Sequence, residues 1–317
     1  MKGDLVSVVI PTYNRGTKIL RAVTSVLRQT YGNLELIVVD DGSADETVAL
    51  LESVRDPRLR LVRHQTNRGA AAARNTGVAA ATGRWIAFQD SDDIWLPEHL
   101  HRQVQAMKDL PEDYVALFCT KINYGQDLSG RYGQRRSSCV PRPEERIESG
   151  DLRARLLQGN IIGPQTALIA RKAFLAIDGF DQRLRNNEDW DFFIRLSDQG
   201  RIAFLDDPLV IVMVSDDSIS RNRRYSAASF VTIYGKIRRK SQDRKLLAEH
   251  ASSVGSKLRW IGRTSSAKLY FKKSIQLNPA VPRTYLKLLY TYLLQPPANG
   301  GLRPAGPRPD ASARPSR

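Results

Sequence analysis

Trp85-Ile86-Ala87-Phe88-Gln89-Asp90-Ser91-Asp92-Asp93 is a short apolar run that ends in three carboxylates. Four consecutive apolar residues bounded by polar ones read as a strand buried on both faces. The carboxylates then leave that strand where the chain turns into a loop. Two of them, at i and i+2, suit a hard divalent cation, which takes oxygen ligands and keeps waters or phosphate oxygens in its shell. Alone the cluster is weak evidence, because Asp-rich turns are ordinary solvated loops. What precedes it gives it weight.

Working back from Trp85, strand and helix patterns alternate. Residues 5–10, 34–39 and 59–62 are apolar strand runs. Between them, 17–28 places Ile19, Leu20, Val23, Val26 and Leu27 on one helical face. Ser43 and Glu46 have the spacing of a capping box, predicting a helix to about residue 54. An Ala-rich helix over 69–81 leads to the 85–88 strand. This rhythm predicts an α/β fold with a mostly parallel sheet and helices on both faces. Ligands of such sheets lie beyond the carboxyl ends of the strands. Pro11-Thr12-Tyr13-Asn14, Asp40-Asp41-Gly42-Ser43 and the 90–93 turn all occupy such ends, so they are expected to meet in one crevice.

Working forward, the pattern loosens. A helix is expected over 97–110 and a strand over 115–120. Residues 121–150 are polar and rich in Arg, Gly and Pro, and read as a mobile loop. Strands are expected at 167–170 and 209–214, with a helix at 188–197 between them. From about 225 to 294 the period is helical, and 296–317 is Pro/Gly/Arg/Ala-rich and expected to be disordered. The expected domains are 1–220 catalytic, 221–295 a basic helical extension, and 296–317 a tail.

Composition is that of an ordinary soluble globular protein. No apolar run approaches bilayer-spanning length, and Met1-Lys2-Gly3-Asp4 does not read as a signal peptide. Cys119 and Cys139 form neither a disulfide framework nor a metal pattern, so a reducing cytoplasmic setting is the expectation. The four His, at 64, 99, 101 and 250, lack metal spacing and read as surface residues. The net charge of +16 is uneven: residues 221–317 hold 21 Lys+Arg against 3 Asp+Glu. The extension is basic while the catalytic part is near neutral, which reads either as a solvated helical face with a tail or as attraction to an anionic surface, membrane headgroups or nucleic acid, with peripheral contact on the inner face of a membrane among the expected partners. Within it, residues 285–294 are apolar and aromatic among cations, the composition of an interfacial helix. Residues 267–278 look like one helix of a tetratricopeptide repeat, but a single copy makes no array.

For chemistry, an aromatic ring in Pro11-Thr12-Tyr13-Asn14 can cover a base, and a carboxylate of Asp40-Asp41 can accept from a base N–H or a ribose hydroxyl. Arg68 or Arg74 can offset diphosphate charge. Asn187-Glu188-Asp189-Trp190-Asp191 opens a helix with carboxylates, one of which at a cleft mouth would act as a general base on a hydroxyl. Asp178-Gly179-Phe180-Asp181 is expected to shape the acceptor side. No Gly-x-Gly-x-x-Gly or Walker loop is present.

Val6–Asn14, Val38–Ser43, Asn67-Arg68-Gly69 with Ala73-Arg74-Asn75, Asp90-Ser91-Asp92 and Glu188–Asp191 together resemble family 2 glycosyltransferases of the GT-A fold, over about residues 4–220. That resemblance implies an inverting transferase using a nucleotide-diphosphate sugar, UDP first, with Mg²⁺ or Mn²⁺. It implies that Pro11, Tyr13, Asn14, Asp41, Arg68 and Arg74 hold the nucleotide. Asp90 would touch ribose or metal, Asp92 would ligate the metal, and Asp189 would be the base, with Asp191 second. The acceptor would be a saccharide or lipid-linked hydroxyl, as in cell-surface polysaccharide synthesis, and no specific nucleic acid is expected. The chain departs from the family at Asp178, where a second Gly is common, and at Val212-Met213-Val214-Ser215, which lacks the family's His. Two other readings are a sugar-nucleotide nucleotidyltransferase, against which Pro11–Gly16 is poor in glycine, and a basic adaptor without enzymatic activity, which leaves the acidic cleft without purpose.

Overall fold

The structure is a computed structural model that describes residues 3–16, 18–125, 137–142, 144–145, 147–214 and 222–293. The chain divides into two compact units, one closing at Ile237 and the other opening at Arg238.

The first unit begins with strictly alternating elements. These are β1 (Val6–Thr12), α1 (Ile19–Leu27), β2 (Leu34–Asp40), α2 (Thr47–Ser53), β3 (Leu59–Arg63), α3 (Ala70–Ala80) and β4 (Trp85–Phe88). Then come β5 (Ile94–Trp95), α4 (His99–Lys108), β6 (Tyr114–Tyr124), β7 (Ser137–Val140) and α5 (Arg153–Gln158). A 3₁₀ turn at Pro164–Thr166 leads to β8 (Ala167–Ala170), α6 (Arg171–Ala176), α7 (Glu188–Leu196), β9 (Arg201–Met213) and α8 (Arg223–Lys240).

One sheet runs in the order β3-β2-β1-β4-β8-β6-β9-β5, with β7 added to β6. β1 through β4 are parallel, in a register that sets Thr12 beside Asp40 and Val9 beside Phe88. Every residue of β1 is buried, as its largely apolar sequence requires in a sheet covered on both faces, and the buried Ser7 hydroxyl donates to Glu35 Oε1 (2.6 Å). The chain steps outward from β1 to β2 to β3, then returns to place β4 on the other side of β1. That reversal opens a crevice at the strand ends between β1 and β4, where doubly wound sheets bind ligands. α3 lies close on β1 because its inner face is small: Ala71, Ala72 and Ala73 are buried, and a Cβ at Gly77 would overlap Val9 Cγ1.

Several expectations change. The capping box does not form; α2 is preceded by Asp45, whose Oδ1 accepts from Thr47 N and Thr47 Oγ1, while Ser43 Oγ instead accepts from Asn14 N. The expected 121–150 loop is partly sheet, because β6 runs on to Tyr124 and β7 pairs with it; residues 126–136 lie outside the described residues. The strand expected at 209–214 begins at Arg201 and pairs with β6 through three register shifts, and the polar break at Asp206, Asp207 and Pro208 conceals its first half in the sequence. β5 is two residues long and escapes any periodicity. The tail expected to be disordered lies outside the described residues.

The second unit is helical: α9 (Arg244–Trp260), α10 (Thr264–Leu277) and α11 (Pro282–Leu293) pack on one another. Among the described residues, no helix is long and apolar enough to cross a membrane.

Candidate active site

The strand-end loops are cross-linked by the polar residues of the sequence motifs. After β1, Asn14 takes a left-handed φ of 50°. Its N–H donates to Ser43 Oγ (2.9 Å), and its Oδ1 accepts from Ala44 N (2.9 Å). Arg15 N and Gly16 N donate to Thr47 Oγ1 and Asp45 Oδ2. The loops after β1 and β2 are therefore one piece.

Asp41 performs the same service between the loops after β2 and β3. Its carboxylate accepts from Arg68 N (2.9 Å) and Gly69 N (2.7 Å), the latter at the entrance to α3. His64 Nδ1 lies 2.7 Å from Asp41 Oδ1, and Nε2 lies 3.0 Å from Thr76 Oγ1. A cavity of about 260 Å³ opens here, lined by Asp40, Gly42, Ser43, Arg63, His64 and Gln65. It stands at the ends of β2 and β3, whereas the acidic turn stands at the end of β4, with β1 between them in the sheet.

Arg74 joins α3 to both acidic segments. Nη2 donates to Asp90 Oδ1 and Nη1 to Glu188 Oε1, each at 2.8 Å. The side chain is 7% exposed, and the two carboxylates hold its guanidinium well above its ordinary pKa against the opposing effect of burial. Two carboxylates far apart in sequence thus meet on one cation. Aromatic packing fixes their approach. Phe180 stands edge-on to Phe88 of β4 (5.3 Å) and stacks on Phe192 of α7 (4.4 Å), with Arg74 5.5 Å above its ring. Asn75 completes the joint, its amide donating to Phe180 O and accepting from Phe180 N.

α7 begins at Asn187, whose φ of 54° turns the chain into the helix. The half-buried Asp189 carboxylate accepts from Asn160 Nδ2 and from Trp190 N, both at 2.8 Å. Burial first, and Glu188 second, push its pKa up to about 6. A carboxylate so tuned is ionised near neutrality yet basic enough to take a proton. Asp191 is in a different state. It is buried between Arg195 Nε (2.9 Å) and Lys236 Nζ (2.6 Å), so both of its oxygens are already committed to cations.

The three carboxylates after β4 divide in the same way. Asp90 pairs with Arg74. Asp93 is buried, accepting from Met213 N (3.0 Å) and Gln165 Nε2 (3.3 Å), so it ties the end of β9 to the turn. Burial, then Asp90 and Asp92, raise its pKa well above the usual range. Asp92 faces the Arg15 guanidinium at 3.9 Å and also feels the charge of Lys18, yet burial first and Asp90 second raise its pKa. Asp90 and Asp92 therefore hold negative charge that the protein leaves partly uncompensated, which fits a hard cation. Among the described residues, no cluster of three or more His, Cys, Asp or Glu is gathered to hold a metal. The fit is to an ion held by one or two carboxylates with substrate phosphates supplying the rest.

Of the remaining expected contacts, the Tyr13 ring is 44% exposed beside the crevice and Arg68 is exposed. Pro11 is buried within β1 opposite Val39, where it shapes the strand end. The histidines are not surface residues as a group: His99 is fully buried, with its pKa lowered to about 3 by desolvation, and His64 and His250 are also largely enclosed. Sequence reasoning assigned no role to Glu188, Asn160, His64 or Lys236. Glu188 lies within the 187–191 motif, but nothing local marks its pairing with Arg74. His64 carried one usable signal, its place directly after a strand end. Asn160 and Lys236 carried none, because their partners are distant in sequence.

The chain is similar to known proteins. The family model described as glycosyl transferase family 2 matches residues 7–177. A glycosyltransferase of Haemophilus influenzae is 30% identical over 74% of this chain and 90% of its own length. The Escherichia coli UDP-Glc:alpha-D-GlcNAc-diphosphoundecaprenol beta-1,3-glucosyltransferase WfgD is 46% identical over 34% of this chain. That match spans 42% of WfgD, so the chain covers less than half of that relative. Among solved structures, Staphylococcus aureus TarS 1–349 in complex with UDP-GlcNAc superposes with a TM-score of 0.66 at 19% identity, over 90% of this chain and 89% of that one. The mannosyltransferase PcManGT of Pyrobaculum calidifontis, in complex with GDP-Man and Mn²⁺, gives 0.60 at 21% identity, over 92% and 80%. At these identities the likeness establishes the fold, which is GT-A.

Proposed function

The chain belongs to glycosyl transferase family 2, and from that premise we propose that it moves a sugar from a nucleotide-diphosphate sugar, UDP-linked first, to a hydroxyl of a saccharide or lipid-linked acceptor, with inversion at the anomeric carbon. The observation that carries this reading is the Arg74 bridge. It sets the Asp90–Asp92 turn beside Glu188, and hence beside a neighbouring carboxylate, Asp189, whose pKa of about 6 suits a general base.

The parts take these roles. The nucleoside occupies the β2–β3 side of the crevice, where the exposed Tyr13 ring covers the base and Asp41 offers its remaining lone pair. His64 and the two backbone N–H groups keep the Asp41 carboxylate oriented. Pro11 and Asn14 set the strand end and loop that face the nucleotide. Arg74 and Arg68 carry positive charge toward the diphosphate. Asp92, with Asp90, would hold Mg²⁺ or Mn²⁺, and such an ion supplies Lewis-acid neutralisation of charge on the leaving diphosphate. Asp189 takes the proton from the acceptor hydroxyl as that oxygen bonds to C1 and the C1–O bond to phosphate breaks. Attack from the face opposite the leaving group inverts the configuration. Asn160 holds the Asp189 carboxylate in place for this transfer. Asp191 and Asp181 share Lys236 and fasten α7 to α8 beneath the base.

The relatives support the substrate class: WfgD is named for transfer from UDP-Glc to a diphosphoundecaprenol-linked sugar, and TarS was solved with UDP-GlcNAc. A lipid-linked acceptor would place the enzyme at the periphery of a membrane, on its inner face.

The test is a thermal-shift screen of nucleotide sugars with and without Mn²⁺, followed by product analysis. A ligand at one hundred times its Kd adds about 2.7 kcal/mol of stability, so a true donor raises Tm measurably and the rise depends on the metal. Turnover should release nucleoside diphosphate. Release of pyrophosphate, or a flat screen with no sugar nucleotide consumed, contradicts the reading.

A further inference from the structure

α11 is packed inside-out. Its buried positions are Thr284 and Thr291, 4% and 1% exposed, while Leu286, Leu289 and Leu293 stand 66%, 56% and 72% exposed. The leucines recur at three- and four-residue spacing and so form one stripe. Tyr285, Tyr290 and Tyr292 are also exposed and flank that stripe. On the inner face, Thr284 Oγ1 donates to Ser252 Oγ (3.2 Å) and Thr291 Oγ1 to Lys287 O (2.6 Å), so the buried hydroxyls are satisfied. The threonine face is therefore the one designed to be inside. Fully burying a leucine is worth about 1.5–3 kcal/mol, and this helix leaves three such gains unclaimed. An apolar stripe of that kind marks a surface with a partner.

The chemistry around the stripe selects the partner. Between Glu249 and Asp310 the sequence contains no carboxylate side chain. Arg259 lies over the Tyr290 ring (5.0 Å), Lys268 over Tyr292 (4.0 Å) and Lys257 over Trp260 (5.5 Å). These cations rim the apolar face. Lys287 reaches back to Ser252 Oγ (3.2 Å), and burial together with Arg259 and Arg283 lowers its pKa, the mark of crowded positive charge without a counter-ion. A second copy of the chain would bring the same cations against themselves. Nucleic acid would use the cations and rings but leave the leucines in water. Residues 294–317 are themselves basic and contain few apolar side chains. A bilayer with anionic headgroups satisfies both halves, since leucines enter the acyl boundary while tyrosines and cations remain at headgroup level.

We infer that α11, rimmed by Arg259, Lys268 and Arg283, seats this protein on an anionic lipid surface, with Leu286, Leu289 and Leu293 inserted. The inference rests on the lipid-linked acceptor proposed above for its purpose; the surface itself rests on burial and charge alone.

The test is flotation of the full chain with phosphatidylcholine vesicles, with and without phosphatidylglycerol, alongside calorimetry of donor binding on the same preparations. The wild type should float with anionic vesicles and far less with neutral ones. The exposed triple variant L286S/L289S/L293S, which leaves the threonine face intact, should keep its melting temperature and donor binding yet lose at least about tenfold in partition. R259Q/K268Q/R283Q should bind more weakly and with a flatter salt dependence. A wild type that stays unfloated, or a leucine variant that floats equally well, overturns the inference. So does a leucine-dependent dimer in sedimentation without lipid binding, or single-stranded DNA binding that the leucine variant retains while lipid binding is absent. Flotation without donor binding would instead remove the transferase reading and leave the lipid surface standing.

Discussion

At the cleft, charged side chains lie inside the fold: Arg74 between Asp90 and Glu188, and Asp191 between Arg195 and Lys236. On α11 the arrangement is reversed, with leucines in water and threonines enclosed. Each region violates the ordinary distribution of residue types, and each violation has a different physical cost. Buried charges are tolerable only when paired and hydrogen-bonded. Exposed leucines cost little in the folded state but forgo stabilisation that a partner can supply. The cleft is accordingly an assembly of paired charges that leaves some carboxylate charge at Asp90 and Asp92 for a ligand, and α11 is a surface completed from outside. Substitutions at the two places should therefore fail in opposite ways.

The largest effect is expected at Arg74. Arg74→Ala leaves two partly buried carboxylates facing one another without their cation, a loss of about 3 kcal/mol. Chemical denaturation should register that loss, and donor binding should fall with it. Unchanged stability would mean that the bridge does not organise the cleft. Gly77→Ala comes next. A methyl group there meets Val9, so α3 must lift from β1, at a cost of about 1–3 kcal/mol. Because α3 carries Arg74, activity should drop in step with stability; a variant as stable as the parent would show that α3 has room to spare. The smallest effect is the opposite case. Each of Leu286→Ser, Leu289→Ser and Leu293→Ser should alter stability by no more than about 0.5 kcal/mol, because each side chain is more than half exposed among the described residues. A drop comparable to that at Gly77 would reveal a hidden internal partner and dissolve the contrast.

Much of the cleft was readable in the sequence, for identifiable reasons. β1, β2 and β4 are apolar on both faces, so their ends were plain, and the residues after them had to lie at one edge of the sheet. What could not be read was pairing at long range. Arg74 and Glu188 are 114 residues apart, and no local pattern announces that they meet. The expected capping box did not form: Ser43 accepts from Asn14 across the loops, and Asp45 instead accepts from the Thr47 N–H at the start of α2. β5 was too short for any periodicity, and β9 was hidden by the polar interruption at Asp206–Pro208. α11 was legible as apolar and basic, but not as inside-out, since which face a helix buries depends on what Ser252 and its neighbours offer.

The most direct test of the central claim, that Asp189 is the base beside the Arg74-bridged turn, is kcat against pH for the parent and for Asp189→Asn, with Tm measured in parallel. The parent should lose turnover as pH falls through about 6, where Asp189 takes up a proton. The variant should fall by about a hundredfold or more. Its Tm above that pH should match or exceed the parent's, because a carboxylate whose pKa is raised by folding weakens the fold once ionised. Wild-type turnover in the variant, or an acid limb that survives the substitution, would contradict the assignment.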